Sequence, residues 1–255
     1  MNALRLIVAA LAALLLAASL LPEIPTDDWW VRALGFPRPQ IAALTALLIP
    51  ALLLLRRGWT RRLAMAAALA ALGLQTLRIL PYTPLHPVEA AATNTCPEDS
   101  RLSLVVANLR ASNEGAGRFL AEVRRHDPAL VFVVEVDPGW ARALAPLEER
   151  YPHHLVHPRD DYWGLALYSR LPLAGAEVRH LLTGYVPSLR ADVRLPSGAV
   201  AAFHGLHPKP PLPAQGTGER DAELLLTARA VREAGGAALV AGDLNAVAWS
   251  GVTEL

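Results

Sequence analysis

The sequence predicts an α/β domain preceded by membrane-spanning helices. Apolar residues make up 53% of the 255 residues and charged residues only 18%. That balance excludes a disordered chain and is unusual for a wholly soluble one. Charge is also divided along the chain: residues 1–80 carry eight arginines against three acids, whereas residues 81–255 carry 16 basic against 20 acidic groups. From residue 102 onward, short β-branched runs alternate with helical spacing, which is the pattern of βαβ units. Cys96 is the single cysteine, so an intrachain disulfide framework and a thiolate zinc cluster are both excluded.

The front of the chain reads as a membrane anchor, residues 1–80. Residues 6–22 run without a charge between Arg5 and Glu23, and residues 39–55 do so between Arg38 and Arg56. At about 1.5 Å per residue these are at the short end of a bilayer-spanning helix. A third apolar segment after Arg62 reaches residue 80 if Arg78 snorkels to the headgroups. Three spans are therefore expected, at about 6–22, 39–55 and 63–80. Arg56, Arg57, Arg61 and Arg62 crowd the second loop, which the positive-inside rule puts in the cytoplasm. The loop at 22–38, with Glu23, Asp27 and Asp28, then lies outside, and so does everything after the third span. Residues 81–98, rich in Pro, read as a linker.

In the rear, residues 99–255, Leu102–Asn108 is an apolar run ending in a polar residue, Gly115–His126 has helical spacing, and Ala129–Glu135 is a second apolar run ending in an acid. A right-handed parallel crossover brings Asn108 and Glu135 to one edge of a sheet. Pro138–Arg150 is expected to be helical and Leu165–Ser169 a strand. Val186–Leu195 and Ala199–Leu206 flank Pro196-Ser197-Gly198 as a hairpin, Arg220–Glu233 is an amphipathic helix, and Ala237–Ala241 a short buried strand.

Residues with chemical potential follow these runs. Asp243 and Asn245, two apart after Gly242, share a face of extended backbone. With Glu135 and Asn108 they form an oxygen-rich set suited to a hard divalent ion. His207 follows the strand 199–206 and suits an acid, a base or a donor to phosphate. His204 is expected on the strand's other face, and His153, His154 and His157 read as surface histidines.

The order of the blocks is more specific than any one of them. Val105-Val106-Ala107-Asn108, Asp127-Pro128, Val133-Val134-Glu135-Val136, Gly164 to Leu173, His207-Pro208 and Gly242-Asp243-Leu244-Asn245 resemble the endonuclease/exonuclease/phosphatase superfamily of metal-dependent phosphoesterases. The anchor and the Pro-rich stretch after His207 resemble its membrane-anchored bacterial branch, which includes a teicoplanin-resistance membrane protein. The resemblance implies a four-layer α/β sandwich of the DNase I type. It implies Mg²⁺ or Mn²⁺ bound by Glu135 and Asn108, with Asn108 and His207 contacting the substrate phosphate. Asp243 would activate water, and Asn245 would stabilise developing charge. The family's closing Asp-His dipeptide is absent, and the chain stops ten residues after Asn245. The sandwich is thus expected to be incomplete, the sequence a fragment, and this length of chain nearly inactive.

The expected function is a membrane-tethered, metal-dependent phosphoesterase in a bacterial inner membrane. It would be multi-pass, with its catalytic domain extracytoplasmic and its partners the bilayer and a phosphoester substrate, including lipid-linked envelope phosphates. A nuclease is the alternative, disfavoured by the net negative rear and its lack of a dense basic stripe. A catalytically degenerate membrane scaffold is the non-enzyme alternative. No protein partner follows from the sequence.

Overall fold

The structure is a computed structural model that describes residues 2–88, 95–111 and 113–253. Part of the expected linker, residues 89–94, lies outside the described residues. The chain divides into two compact units. One comprises residues up to 91 with 210–218 and 246 onward, and the other comprises 92–209 and 219–245.

The first unit is helical: α1 (Asn2–Leu20), α2 (Trp29–Ala33), α3 (Arg38–Leu54) and α4 (Trp59–Ile79). Two helical segments, Ala3–Glu23 and Trp59–Tyr82, are long and apolar enough to cross a membrane, and Arg38–Leu54 is a shorter apolar helix. α4 begins before the run expected at 63–80, because Arg61 and Arg62 sit in its first turn rather than ending it. Charge marks the edge of an apolar run, whereas the helix continues wherever backbone bonds can form. Ala12, Leu15, Ile41, Leu48, Leu52, Ala64 and Ala68 form the core, and its alanines allow close helix approach. At one end, buried Arg38 donates to Gln75 Oε1 (3.2 Å) and to Glu23 Oε1 (2.8 Å), and Gln75 donates to Ser19 Oγ (2.9 Å). Within this unit the Thr217 N–H also donates to the Asp27 carbonyl (2.9 Å), and Trp249 Nε1 to that of Gly35 (2.8 Å).

The second unit is mixed α/β. In chain order it contains β1 (Leu104–Asn108), α5 (Ala116–His126), β2 (Leu130–Val134), α6 (Pro138–Leu144), β3 (His153–His157) and β4 (Leu165–Ser169). There follow β5 (Leu173–Arg179), β6 (Ser188–Arg194), β7 (Val200–Leu206), α7 (Gly218–Ala234, whose first residue groups with the helical unit) and β8 (Ala237–Gly242). The strands make two four-stranded sheets, ordered β1-β2-β4-β3 and β5-β6-β7-β8. The pairs β1–β2 and β7–β8 are parallel.

All five residues of β2 are fully buried, as expected for a strand covered on both faces. Leu130, Phe132 and Val134 share a core with Leu165 and Leu167 of β4 and with Leu189, Ala191, Val193 and Phe203 of the other sheet. Phe132 and Phe203 meet edge to face at 5.3 Å. Gly205 makes room for Phe132, since a Cβ there would lie 2.5 Å from the ring. Val131 and Val133 point the other way, toward Val123, Trp140 and Leu144, so α5 and α6 cover the outer face of the first sheet.

Three expectations need correction, and one strand, β5, is not among the expected elements. The helix after Pro138 ends at Leu144 and gives way to a 3₁₀ turn, Ala145–Leu147, where Pro146 removes an amide donor. The histidines at 153, 154 and 157 lie on β3, which β4 pairs; His154 is exposed as expected, whereas Nε2 of His157 is buried. β5 has no apolar alternation and forms through pairing with β6 across an irregularity at Ala174–Glu177. The strand expected as buried at 237–241 is largely exposed.

Candidate active site

Parallel register puts the site together. In β1–β2, Asn108 is the partner of Val134, so Glu135 emerges beside it. In β7–β8, Leu206 is the partner of Gly242, so His207 and Asp243 emerge side by side. Gly242 is required there: its φ is +142°, and a Cβ would lie 1.8 Å from the Leu206 carbonyl oxygen. Glu135 and Asn245 also adopt positive φ (60° and 48°), as does Arg110 (56°). Such backbone costs on the order of 1 kcal/mol or more per residue and concentrates at functional sites.

The side-chain amide of Asn108 donates to Glu135 Oε1 (2.7 Å) and to Asp243 Oδ2 (3.0 Å). Its carbonyl oxygen accepts from the Arg110 N–H (2.9 Å). The second oxygen of Glu135 accepts from the Ala111 N–H (3.3 Å), and Asp243 Oδ1 accepts from the Asn245 N–H (3.1 Å). Two carboxylates thus converge on one amide. The loop after Glu135 is fixed from two directions. Asp137 caps α6 by accepting from the Trp140 N–H (2.7 Å). Val136 exchanges backbone bonds with Gly164 and Arg159.

His207 is 4% exposed, and its Nδ1 has no partner among the described residues. Burial pushes its pKa down, while Asp243, Glu135 and the backbone of Tyr162 pull it up more weakly. It packs 5.2 Å from the ring of Trp163, which also meets Tyr185, and the Arg159 guanidinium lies 5.2 Å from the centre of the Tyr185 ring. Asn245 turns its side-chain amide to the Pro208 carbonyl (2.9 Å), tying the two loops that carry His207 and Asp243. Its own carbonyl accepts from Arg220 (2.9 Å), a residue 3% exposed on α7. His204 sits opposite Arg190 and Val240 in the sheet, and burial, then Arg190 and Arg179, push its pKa down.

The structure therefore links Asn108, Glu135, Asp243 and Asn245 by hydrogen bonds, with His207 within electrostatic reach of both carboxylates. Trp163, Tyr185 and Arg220 were not singled out by sequence. Each reaches the site from a loop or helix far along the chain, and only the Gly164 block beside Trp163 hinted at it.

These donors fit a hard divalent ion. Two carboxylates face one point with a single amide between them, and Mg²⁺ is commonly held by one or two carboxylates with waters filling its shell. Among the described residues no group of three or more His, Cys, Asp or Glu gathers around one point, so a protein-only cage is absent. Asn108 presents its NH₂ to the carboxylates. Ligation through its oxygen therefore requires the amide to turn over, which breaks the bond from Arg110.

The profile of the Endonuclease/Exonuclease/phosphatase family matches residues 105–255. The chain belongs to this family. A search of curated proteins gave no match. Among solved structures, TDP2 of D. rerio humanized by 14 mutations aligns with a TM-score of 0.50 at 22% identity, over 58% of this chain and 64% of that one. D. rerio TDP2 complexed with a single-strand DNA product gives 0.50 at 22%, over 58% and 62%. TDP2 from C. elegans gives 0.50 at 16%, over 82% and 67%. These identities establish a shared fold. The chain spans less than two thirds of the length of the two D. rerio structures. Members of the endonuclease/exonuclease/phosphatase family are generally phosphoester hydrolases that use divalent metals.

Proposed function

We propose that this family member is a membrane-tethered, divalent-metal-dependent phosphoesterase acting outside the cytoplasm on phosphoesters presented at a bacterial inner membrane, lipid-linked envelope phosphates among them. The observation that carries the chemistry is the convergence of Glu135 and Asp243 on the Asn108 amide. Glu135, with Asn108 turned over, would hold Mg²⁺ or Mn²⁺. That ion, when bound, supplies charge neutralisation at the scissile phosphate. His207 is buried and favours its neutral form, so its ring N–H donates to a phosphate oxygen without adding a full charge. Asp243, fixed by the Asn245 N–H, accepts the proton of the attacking water. Asn245 holds the His207 loop through Pro208 and, once released from it, offers its amide to the charged phosphorane.

Tethering rests on the two long apolar helices. The outward orientation rests on the arginines at 56, 57, 61 and 62 together with a third crossing by the shorter helix. A nuclease is the second reading, favoured by the exposed Tyr162 and Tyr185 beside Trp163, a surface on which bases stack. The test is turnover by the detergent-solubilised protein, expressed from its complete reading frame, of a chromogenic phosphodiester, a phosphomonoester, a lipid diphosphate and single-stranded DNA, each with Mg²⁺ and with EDTA. The proposal expects Mg²⁺-dependent turnover with the lipid substrate preferred. Preference for DNA transfers the assignment to the nuclease, and full activity in EDTA contradicts both.

A further inference from the structure

The buried face of α7 is made by Arg220, Glu223, Leu224 and Thr227. At this spacing a packed helix ordinarily carries apolar residues. Arg220 is 3% exposed, so its charge is held away from water at a cost that only close partners offset. Its Nε and Nη2 both donate to Asp221 Oδ1 (2.8 and 2.7 Å), which neutralises the charge locally. Nη1 is aimed elsewhere, at the carbonyl of Asn245 (2.9 Å), 25 positions along the chain. Glu223 lies one turn on along the same face, yet its Oε1 has no partner among the described residues. The guanidinium thus reaches past a buried carboxyl on its own helix to a backbone carbonyl at the site.

Asn245 needs such a hold. Its φ of 48° lies in the left-handed region, which costs energy for any residue with a side chain. Its N–H donates to Asp243 Oδ1 (3.1 Å) and its side-chain amide to the Pro208 carbonyl (2.9 Å). The Arg220 bond is the third anchor, and the one whose donor is charged. If the amide leaves Pro208 for a substrate, only the two backbone bonds keep the turn in place. A hydrogen bond from a charged donor is strong enough to offset the cost of left-handed backbone.

We infer that Arg220 is a positioning residue for the candidate centre. It holds Asn245 in left-handed backbone, so that the side-chain amide can exchange the Pro208 carbonyl for charge developing on the substrate phosphate. The inference rests on the phosphoesterase reading and adds to it a residue that acts on the reaction only through Asn245. The amide acts on charge that exists only in the transition state. Loss of Arg220 therefore lowers kcat and leaves KM nearly unchanged. A lysine keeps a charge beside Asp221 but lacks the planar fork that serves two partners at once, so Arg220→Lys restores only part of the rate.

The experiment is a double-mutant cycle on the detergent-solubilised protein, expressed from its complete reading frame, with a chromogenic phosphodiester and Mg²⁺. Arg220→Ala should reduce kcat by about 10–100-fold, with KM within about 3-fold of wild type. In an Asn245→Gly background, glycine takes up the left-handed backbone freely and has no amide to position. There Arg220→Ala should cost less than about 3-fold more. Arg220→Lys, run through the same cycle, should show a smaller loss that again disappears with Asn245→Gly, and it carries the test where Arg220→Ala does not fold. Hydrogen exchange followed by mass spectrometry should speed up by about 10-fold or more in peptides covering 243–247 and stay unchanged over β1 and β2. An equal loss in both backgrounds, an unchanged kcat, or unchanged exchange at 243–247 overturns the inference. Absence of phosphoester turnover by wild type, with the exchange pattern intact, instead sinks the phosphoesterase reading alone.

Discussion

Asn108 and Asp243 stand 135 positions apart in the sequence and are joined by a 3.0 Å hydrogen bond from amide to carboxylate. One ends a strand of the first sheet and the other follows a strand of the second, so this contact ties the two sheets together at the edge that carries the candidate site. Asn108→Ala leaves Glu135 and Asp243 facing each other without a donor between them. It should lower turnover by about 10²-fold or more and cost about 1–2 kcal/mol in urea denaturation. Unchanged kcat in this variant would remove Asn108 from the site.

The two histidines around β7 should behave differently. His207→Ala deletes the ring that faces both carboxylates and should reduce kcat by about 10²–10⁴-fold. His204 is held among Arg190, Arg179 and Asp192, and its replacement by Ala should leave turnover within a few-fold. The comparison is made with one chromogenic phosphodiester. Equal losses in the two variants would mean that the fold, and not the site, had been damaged.

Backbone packing behind the site allows no side chain. A Cβ on Gly164 would lie 1.8 Å from the Val136 carbonyl oxygen, and one on Gly242 1.8 Å from that of Leu206. Gly164→Ala and Gly242→Ala should each destabilise by about 3 kcal/mol or more. Gly117→Ala, where nothing lies within 4 Å, should not. Thermal melts of the three variants check this, and a Gly242→Ala protein as stable as wild type would contradict the described register of β7 and β8.

Much of this site is written at the ends of apolar runs. Val105–Asn108, Val133–Glu135 and Ala241–Asn245 are legible because a buried parallel strand needs an unbroken apolar run, and its polar successor then stands at the sheet edge. β3 and β5 are not legible in this way. His153–His157 and Leu173–Arg179 lack apolar alternation, and only their antiparallel partners make them strands. The contact of Trp163 with His207 and the hold of Arg220 on Asn245 depend on tertiary approach, which no local pattern encodes.

Stability should depend on pH through Glu223, whose side chain is 5% exposed with Oε1 lacking a partner among the described residues. Burial pushes its carboxyl up from 4.5 to about 7. Between these values the folded state keeps a proton that the unfolded chain has released. The stabilisation is therefore full below pH 4.5 and lost as pH rises through 7. Glu223→Gln should remove this loss, raising stability by about 2–3 kcal/mol at pH 8 and changing it little at pH 4. Urea titrations at the two pH values measure it, and an equal effect at both would show that Glu223 does not titrate as described.

The central claim is that Glu135, with Asn108 and Asp243 around it, forms the seat of a divalent cation. Its most direct test is Mn²⁺ titration followed by electron paramagnetic resonance, on wild type and Glu135→Gln matched for folding by circular dichroism. The account predicts a saturable Mn²⁺ site in wild type, displaced by Mg²⁺, with affinity reduced by about 10–100-fold or more in Glu135→Gln, because an amide is a far poorer ligand for a hard ion. Binding of Mn²⁺ by Glu135→Gln with wild-type affinity would contradict it.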